Sequence, residues 1–387
     1  MCRNTVSVAN RHDTLLDMRI GFVGGGTGGH FYPLVAVLEA LEGSSEKPEC
    51  YYFGPSPYDL NLLTKHGVRF VYCPAGKLRL YFSIQNFFDV FRNFFGIFVA
   101  IVKLYLIYPD VIFSKGGYTS VPILIAARLL RIPVVIHESD AVPGRANLLA
   151  RSFAKYVAIS YPEAVQFFPQ ERTALTGIPI RKALKTTDPD PYTTLGIPND
   201  LPLIYVTGGS SGAERLNNIV LRCLTALLPQ CRIYHQTGEA HVEELTLTAQ
   251  SLLTDQNLQS RYYIKGLLPP EKVNALLSAA SLVITRAGST TLFEIALHGT
   301  PSIVIPIPED ISRDQRSNAY AFARSGGATV IEERNLTETL LISEIRSIIG
   351  DRSKWQEMSV AAKQFVPTDA AEKIANILIS IGKEHGS

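Results

Sequence analysis

The amino-acid sequence predicts an α/β protein with two domains, each built around a parallel β-sheet that helices cover on both faces. Three observations support this fold class. A glycine-rich turn between an apolar strand and a helix occurs twice, at 24–29 and at 208–212. Apolar runs of strand length alternate with helical patterns along both halves. The chain of 387 residues is longer than a single hydrophobic core usually organises, so two cores are expected.

The first element is a strand at Ile20–Val23 that leads into the cluster Gly24–Gly29, and a helical pattern follows at Tyr32–Glu42. Glycines let backbone N–H groups approach an anion, and the helix N-terminus adds partial positive charge, so this turn is predicted to bind phosphate. The cluster matches the dinucleotide-binding pattern G-x-G-x-x-G only because nearly every position is glycine. A dehydrogenase is disfavoured, because Gly54–Ser56 stands where its acidic residue should follow the second strand.

The rest of the first half continues the alternation of strand and helix patterns, which predicts a doubly wound sheet. The further predicted strands of this half are Tyr51–Phe53, Arg69–Tyr72, Val111–Ser114, Pro133–Ile136 and Tyr156–Ala158. A polar stretch with several prolines follows Arg181 and ends at Pro202. This composition is typical of a linker.

The second half repeats the theme with a strand, the cluster Gly208–Gly212 and a helix at Ala213–Leu228. Its predicted strands are Leu203–Thr207, Arg232–Gln236, Tyr262–Lys265, Leu282–Thr285, Ser302–Ile305 and Thr329–Ile331. We therefore expect five segments along the chain. They are a loose N-terminal extension at 1–17, a first domain at 18–182, a linker at 183–201, a second domain at 202–366 and a C-terminal helix at 367–387.

The composition is that of a folded protein with no strong preference for charged partners. Hydrophobic residues make up 46% of the chain, charged residues 19%, and the net charge is +2. No basic stripe is visible, so nucleic acid is not an expected partner. The five cysteines show no C-x-x-C spacing, which fits a reducing cytoplasm. Residues 1–17 lack the apolar core of a secretory signal, and we expect Met18 to be the true beginning.

The segment 86–108 is strongly apolar, but Asp89, Arg92 and Lys103 interrupt it, so a transmembrane helix is not expected. One interpretation is a helix whose apolar stripe packs on the sheet. The stripe at helical spacing is Phe87, Phe91, Phe94 and Phe98. The other interpretation is that neighbouring apolar and basic residues contact a bilayer surface. These residues are Lys77, Leu78, Arg79, Leu80, Phe82, Phe88 and Phe95.

His30 follows the last glycine of the first cluster. Its side chain would project toward whatever the loop binds, and an imidazole titrates in the range that suits a general base. The alternative is a histidine that caps the helix or bonds a neighbouring carbonyl group. Further polar clusters fall at predicted strand ends, where doubly wound sheets bind ligands, although each alone is compatible with an ordinary turn. These clusters are Lys115–Tyr118, His137–Asp140, Thr176–Arg181 and Arg286–Ser289.

Two features of the second half are candidates for sugar recognition. Glu294 lies near the start of a predicted helix, where its carboxylate is able to accept two hydrogen bonds from a ribose diol or simply stabilises the helix dipole. The amides in Asp314–Asn318 are able to bind sugar hydroxyl groups. No metal site is predicted, because the histidines are scattered and the D-x-D match at 188–190 lies in the linker. A G-x-x-x-x-G-K-[ST] phosphate loop is absent.

An ordered series of motifs between Met18 and Val366 resembles the MurG family of bacterial glycosyltransferases. The motifs of the first half are GGTGGHFYP at Gly25–Pro33, SKGGYTSVP at Ser114–Pro122, HESDAVPGRAN at His137–Asn147 and TGIPIR at Thr176–Arg181. Those of the second half are GGSSGAERLN at Gly208–Asn217, QTG at Gln236–Gly238, RAGSTTLFEIA at Arg286–Ala296 and DQRSNA at Asp314–Ala319. Any single motif is weak evidence, but the series is highly specific.

The resemblance implies the GT-B arrangement, in which two Rossmann-like domains face each other across a cleft. It implies transfer of N-acetylglucosamine from UDP-N-acetylglucosamine (UDP-GlcNAc) to the 4-hydroxyl group of the muramoyl unit of undecaprenyl-pyrophosphoryl-MurNAc-pentapeptide (lipid I). The product is lipid II, and the reaction serves peptidoglycan synthesis, cell shape and cell division. The family's members are peripheral proteins on the cytoplasmic side of the cell membrane, and they need no cofactor.

Matching positions carry the family's substrate-binding residues onto this chain. The second domain would hold the donor, with its phosphates at Ser210 and Arg181, its ribose at Glu294 and its uracil near Leu268. Gln315 would contact the sugar hydroxyl groups. Further donor-side positions are Asn217, Ser289, Thr290, Thr291, Leu292 and Phe293, the last five forming a helix N-terminus at the diphosphate. The positions near the acceptor and the reacting centre are Thr27, Gly28, Gly29, His30, Tyr118, Glu138 and Asn147.

The family's reaction inverts the anomeric carbon in one displacement, through an oxocarbenium-like transition state. Helix N-termini and Arg181 are able to stabilise the departing diphosphate without a metal, and one proton must be removed. His30 is our candidate for the base. Asp140 occupies a position that is often asparagine, so it needs a partner or a proton beside diphosphate, and we expect it to tune or share the base function. Ile178 and Asp314 also depart from the family pattern, which affects donor contacts rather than the reaction class.

The sequence leaves three alternatives open. A related GT-B transferase would move another sugar or use another lipid acceptor. A catalytically silent subunit would bind the nucleotide sugar and anchor a partner at the membrane, but donor motifs and the acceptor loop occur together in this chain. A dehydrogenase is the third alternative.

Overall fold

The computed structural model describes residues 18–77, 84–209, 213–312 and 314–386, without the side chains of 84–88. The first domain contains a seven-stranded parallel sheet. Its strands are β1 (Arg19–Val23), β2 (Glu49–Gly54), β3 (Arg69–Tyr72), β4 (Val111–Ser114), β5 (Val134–Glu138), β6 (Tyr156–Ile159) and β7 (Thr173–Leu175). They lie in the order β3-β2-β1-β4-β5-β6-β7.

The second domain contains a six-stranded parallel sheet. Its strands are β8 (Leu203–Thr207), β9 (Arg232–Gln236), β10 (Tyr262–Lys265), β11 (Leu282–Thr285), β12 (Ser302–Val304) and β13 (Ala328–Val330). They lie in the order β10-β9-β8-β11-β12-β13. Both sheets share the order 3-2-1-4-5-6 of doubly wound nucleotide-binding domains, so the predicted fold class is confirmed.

Helices lie on both faces of each sheet. Those of the first half are α1 (Gly28–Glu42), α2 (Leu60–Lys65), α3 (Ile84–Ile107), α4 (Val121–Leu129), α5 (Arg145–Ala150) and α6 (Pro191–Leu195). Those of the second half are α7 (Glu214–Leu227), α8 (Val242–Leu252), α9 (Gln256–Gln259), α10 (Pro270–Ala279), α11 (Ser289–His298), α12 (Gln315–Arg324), α13 (Glu338–Ile349), α14 (Arg352–Gln364) and α15 (Ala370–Gly386). Short 3-10 turns lie at Tyr118–Ser120, Pro162–Phe167, Gln170–Arg172, Lys182–Leu184, Glu239–His241 and Glu333–Asn335.

The chain passes between the two domains twice. It crosses first after β7, and it returns after α14, so that α15 packs on α1 and on β4 of the first domain. A hydrophobic cluster joins the domains between these two crossings. It includes Tyr161 and Ile180 from the first half and Phe293, Phe322 and Val366 from the second.

Two local features differ from the sequence prediction. Helix α1 begins at Gly28, four residues before the predicted start at Tyr32, so His30 lies in its first turn. Glycine has low helix propensity, which hid this turn from a local pattern. The linker contains the short helix α6, because Asp190 caps its N-terminus by accepting from the Thr193 backbone N–H at 3.3 Å, and Pro191 follows at the first helical position.

Helix α3 corrects the interpretation of a phenylalanine stripe packed on the sheet. Phe91, Phe94 and Phe98 are 59%, 70% and 64% exposed, and the Phe87 side chain lies outside the described part of the chain. The buried face carries smaller side chains instead, including Ala100 and Leu104, and packs along α4. By length and composition the window Asp89–Ile107 is sufficient to cross a membrane, in spite of its charged residues, and 17% of it is buried.

Candidate active site

The carboxyl ends of the two sheets face each other, and the loops that follow β1, β5, β11 and β12 meet between the domains. Thr290 Oγ1 at the start of α11 donates to the Gly29 carbonyl oxygen at 3.3 Å. Ser289 Oγ donates to Asp140 Oδ1 at 2.6 Å. Polar residues of the two domains are therefore in direct contact at the cleft, which is the region where doubly wound sheets bind ligands.

The first glycine loop presents a helix N-terminus to this cleft. Gly24 and Gly26 have φ angles of +139° and +99°, which only glycine adopts without strain. The Tyr52 hydroxyl group donates to the Gly24 carbonyl oxygen and holds the loop on the sheet. Thr27 precedes α1 in an extended conformation and makes no side-chain capping bond to the helix. The N–H groups of Gly28 and Gly29 are thus available to an anion, whereas those of His30 and Phe31 donate to the Thr27 carbonyl oxygen, each at 3.2 Å.

His30 is fixed at the edge of this loop. Its Nδ1 lies 3.1 Å from Thr27 Oγ1, and a Cβ atom placed on Gly117 would lie 3.8 Å from its Nε2. Burial of the ring, followed by the Lys115 charge, lowers the pKa of His30 to about 4, and Asp314 opposes the shift. The imidazole is therefore neutral at neutral pH. Tyr118 stands nearby with 39% of its surface exposed, and Gly26 lies close to its ring.

Glu138 and Asn147 hold the conformation of the loop that follows β5. The Glu138 carboxylate accepts from the backbone N–H groups of Asp140 and Gly144, each at 3.0 Å, and from Asn147 Nδ2 at 2.9 Å. Burial, followed by the charge of Asp140, raises the pKa of Glu138 to about 7. Both side chains are buried, so these contacts set the shape of the loop.

Asp140 finds its partners in the second domain. Its Oδ1 accepts from Ser289 Oγ and from Asn318 Nδ2 at 2.9 Å, and Asn318 Oδ1 accepts from the Ala141 N–H at 2.8 Å. Burial and then the Asp314 charge raise the pKa of Asp140, while these hydrogen bonds oppose the shift. The carboxylate that departs from the family pattern is thus a link between the domains.

Helix α11 carries the largest group of expected donor residues. Its N-cap, Gly288, has no side chain, so the first-turn N–H groups face the cleft unblocked. Ser289 is buried, and Thr290 and Thr291 are half-buried. Leu292 and Phe293 have their side chains in the interdomain cluster, and the Leu292 N–H donates to the Gly288 carbonyl oxygen at 3.0 Å, so the free N–H groups of α11 are those before Leu292.

Glu294 and Arg181 lie close to each other beyond the first turn of α11. Burial raises the pKa of Glu294 to about 7, and the Arg181 charge lowers it. The Arg181 guanidinium stacks on Tyr32 of α1, with Cζ 3.8 Å from the ring centroid. An arginine of the first crossing therefore lies between α1 and α11.

The remaining donor-side predictions have different surroundings. Gln315 Oε1 accepts from the N–H groups of Ala287 and Ile307, at 3.2 and 3.3 Å, which leaves its amide nitrogen for a ligand. Leu268 is half-buried against the second-domain core. Asn217 is buried and bonds His235 and the Thr237 carbonyl oxygen. Ser210 lies outside the described residues.

Sequence reasoning missed the roles of Asn318 and Lys115. Asn318 was grouped with sugar-binding amides, but it is fully buried and joins the two domains. Lys115 is buried under the first glycine loop, as described below. Neither contact is visible in local spacing, because each joins residues far apart in the chain. Within the described residues, no group of three or more His, Cys, Asp or Glu is placed to hold a metal ion.

The two doubly wound sheets, with helix N-termini facing each other across a cleft, define the GT-B architecture. Residues 20–159 match the glycosyltransferase family 28 N-terminal domain, and residues 203–374 match the C-terminal domain of the same family. The chain belongs to glycosyltransferase family 28 and, within it, to the MurG family.

Curated relatives support this assignment over nearly the whole length. The UDP-N-acetylglucosamine--N-acetylmuramyl-(pentapeptide) pyrophosphoryl-undecaprenol N-acetylglucosamine transferase of Treponema pallidum is 36% identical, over 94% of this chain and 95% of the relative. The protein of the same name from Clostridium kluyveri is 34% identical, over 93% and 98%. The crystal structure of Acinetobacter baumannii MurG is similar with a TM-score of 0.71 and 25% identity, over 94% of this chain and 99% of that one. The resemblance inferred from the motifs is confirmed.

Proposed function

We propose that this protein transfers N-acetylglucosamine from UDP-GlcNAc to the 4-hydroxyl group of the muramoyl unit of lipid I, giving lipid II. Relatives that carry the name of this activity match nearly the whole chain. One structural observation supports this assignment: the N-termini of α1 and α11 meet across the cleft, where Thr290 donates to Gly29. Donor and acceptor both carry a diphosphate, and each helix N-terminus offers N–H groups to one of them.

The donor would lie on the second domain. The first-turn N–H groups of α11, those of Ser289, Thr290 and Thr291, would bind its diphosphate. Arg181 would be a cation beside it, and Ser210 would add a hydroxyl group. The Glu294 carboxylate would accept from the ribose diol. The backbone near Leu268 would contact uracil, and the free amide nitrogen of Gln315 would donate to the sugar. Asn217 would support this surface from below through His235 and Thr237.

His30 would act as the general base. With Nδ1 donating to Thr27, Nε2 is free to accept the proton of the attacking hydroxyl group, and the lowered pKa keeps the ring neutral. The hydroxyl oxygen forms its bond to the anomeric carbon as the bond to UDP breaks on the opposite face. Charge then develops on the diphosphate, where fixed dipoles and Arg181 stabilise it. Asp140 would tune this site by holding α11 against the first domain.

The protein would work as a peripheral protein at the cytoplasmic face of the cell membrane, since its acceptor is anchored there. The outer face of α3 supports this proposal. Five large apolar side chains on it are more than half exposed, and Arg92 and Lys103 of the same helix are also exposed. The apolar residues are Phe91, Phe94, Phe95, Phe98 and Leu106, with Tyr105 beside them. Such a face is able to enter the headgroup region while basic side chains meet anionic lipid.

Transfer of labelled N-acetylglucosamine to a lipid I analogue tests the proposal. We expect a lipid II product, equal rates with and without EDTA, and a strong preference for UDP-GlcNAc over UDP-glucose and UDP-N-acetylgalactosamine. Another preferred UDP-sugar would point to a related transferase. Binding of UDP-GlcNAc without turnover, in the presence of an acceptor that a known MurG enzyme uses, would contradict the proposal and favour a silent subunit.

A further inference from the structure

Lys115 is a buried cation directly beneath the first glycine loop. It follows β4, its side chain is 2% exposed, and its backbone N–H donates to the Val23 carbonyl oxygen at 2.9 Å. A Cβ atom placed on Gly24 would lie 2.8 Å from the Lys115 Cβ. The absence of a side chain at Gly24 therefore lets this lysine pass under the loop that is proposed to face the acceptor.

Within the part of the chain that the structure describes, the hydrogen-bond partners of the Lys115 ammonium group are neutral. Its Nζ donates to Ser139 Oγ and to His137 Nδ1, the latter at 2.6 Å. His137 Nε2 lies 2.9 Å from the Gly177 carbonyl oxygen, to which it must donate, so Nδ1 is the acceptor for Lys115. Burial and the lysine charge lower the pKa of His137 well below its usual value, and the ring is neutral.

The carboxylates nearest to Lys115 are directed toward other donors. Glu138 is occupied by backbone N–H groups and Asn147, and Asp140 by Ser289 and Asn318. Among the described residues, Lys115 forms no ion pair within 4.0 Å. A buried ammonium group without a counter-ion is unfavourable, and a bound anion would supply the missing charge.

We propose that Lys115 provides the positive charge with which the first domain recognises the diphosphate of the lipid acceptor. The inference rests on the proposed function and names a specificity-determining residue for it. The lysine leaves the chain beside Gly24 of the first glycine loop, its ammonium group bonds Ser139 in the loop that follows β5, and its charge acts on His30 at the cleft. The donor diphosphate is assigned to α11 in the other domain, so the acceptor diphosphate is the anion that Lys115 is placed to attract.

Protonation of Lys115 is linked to binding of the proposed diphosphate. Burial lowers its pKa to about 7, while Glu138 and Asp140 oppose that shift. A dianion bound above the loop raises the pKa again, so binding above pH 7 takes up a proton and weakens as the pH rises. The titratable groups that face Lys115 are His30 on α1, His137 and Glu138 on β5, and Asp140 in the next loop. The Lys115 charge also lowers the pKa of His30, which keeps the base unprotonated.

Steady-state kinetics with a water-soluble lipid I analogue of shortened carrier chain test this inference. Lys115→Gln keeps a donor for His137 but removes the charge. We expect the acceptor KM to rise about tenfold or more, because an interaction with a charged group is lost, and the donor KM to stay within about twofold. The Ki of inorganic pyrophosphate as a competitor of the acceptor should rise in parallel. Lys65→Gln, at an exposed lysine of the same domain, is the matched control.

A calorimetric titration reports on the proton directly. Inorganic pyrophosphate is titrated at pH 7.5, with UDP saturating the donor site, in buffers of different ionisation enthalpy. On binding pyrophosphate, the wild type should take up more protons than Lys115→Gln. The proton uptake that comes from pyrophosphate itself is the same for both proteins, so it drops out of the difference. Lys115→Arg, which stays charged, should bind pyrophosphate without the extra uptake and with little pH dependence between about 6.5 and 8.5. Lys115→Arg therefore keeps the inference testable even when Lys115→Gln does not fold.

An unchanged acceptor KM and pyrophosphate Ki in folded Lys115→Gln would overturn the inference. An equal rise in donor and acceptor KM would also overturn it, because Lys115 would then serve the cleft as a whole. Failure of the proposed function looks different. In that case the wild type would not glycosylate the analogue at all, while pyrophosphate binding and its proton uptake would still be measurable.

Discussion

The two domains make the equivalent crossover connection with helices of different length. In the first sheet the chain passes from β3 to β4 through α3, a helix of 24 residues. In the second sheet the equivalent passage, from β10 to β11, uses α10, a helix of 10 residues. Helix α10 buries Ala275, Leu276 and Leu277 in the domain core and carries no large exposed apolar residue. Helix α3 buries Ala100 and Leu104 but exposes an aromatic face.

The difference in helix length shows which part of α3 the fold requires. Ten residues are enough to complete the crossover, as α10 demonstrates. The additional turns of α3 and their exposed phenylalanines do not contribute to the core, and an exposed apolar patch of this kind marks an interaction site. The comparison therefore distinguishes the loops, where we propose that catalysis takes place, from the exposed face of α3, which we propose contacts the membrane.

Replacing the proposed base should have the largest effect. His30→Ala removes the proton acceptor from the first domain, so kcat should fall about 10³-fold while UDP-GlcNAc binding by the second domain is retained. The measurements are steady-state kcat and the Kd of the donor by calorimetry. His66→Ala is the control, since His66 pairs with Glu42 away from the cleft. A His30→Ala enzyme with more than about a tenth of wild-type kcat would assign the base elsewhere.

The buried faces of α3 and α10 should be equally important for stability. Leu104→Ala and Leu276→Ala each leave a cavity in a fully buried site and should lower the free energy of unfolding by about 2–5 kcal/mol. Phe98→Ala, on the exposed face of α3, should change it by less than about 0.5 kcal/mol. Urea denaturation measures all three. A large loss for Phe98→Ala would mean that the aromatic face packs within the protein.

The exposed face of α3 should control membrane binding. The triple variant Phe94→Ser, Phe98→Ser and Leu106→Ser removes three exposed apolar groups, so partitioning into anionic vesicles should fall about 100-fold. Activity on a soluble acceptor analogue should not change. The matched control is Leu247→Ser with Leu252→Ser on α8, which are also exposed but belong to the second domain. Equal loss of vesicle binding in the control would refute a localised membrane surface.

The pH dependence of donor binding should test the assignment of the donor to the second domain. Burial raises the pKa of Glu294 to about 7, so the carboxylate that we propose as the ribose ligand is formed as the pH rises through that value. The KM for UDP-GlcNAc should therefore fall several-fold, and at most about tenfold, between pH 6 and pH 8. In Glu294→Gln it should be higher and nearly independent of pH. A wild-type KM that is flat over this range would argue against Glu294 as the ribose ligand.

Much of the fold was accessible from local patterns. The strands at Val111–Ser114, Leu203–Thr207 and Leu282–Thr285 have the predicted bounds, because a strand buried in a parallel sheet is a continuous apolar run. The start of α1 was wrong by four residues, and the strand β7 was not predicted at all. Both errors occur where tertiary contacts, rather than local preference, stabilise the element.

Residue chemistry and motif order were enough to establish an α/β chain with two glycine loops, a base candidate at His30 and a family resemblance. The three-dimensional arrangement alone established which face of α3 is buried and that Asp140 bonds Ser289 and Asn318 across the domains. It also established that Lys115 lies beside Gly24 and has no ion pair within the described part of the chain. The reason is physical. Backbone preference and hydrophobic period are local properties of the chain, whereas burial, hydrogen-bond partners and pKa depend on residues brought together from distant positions.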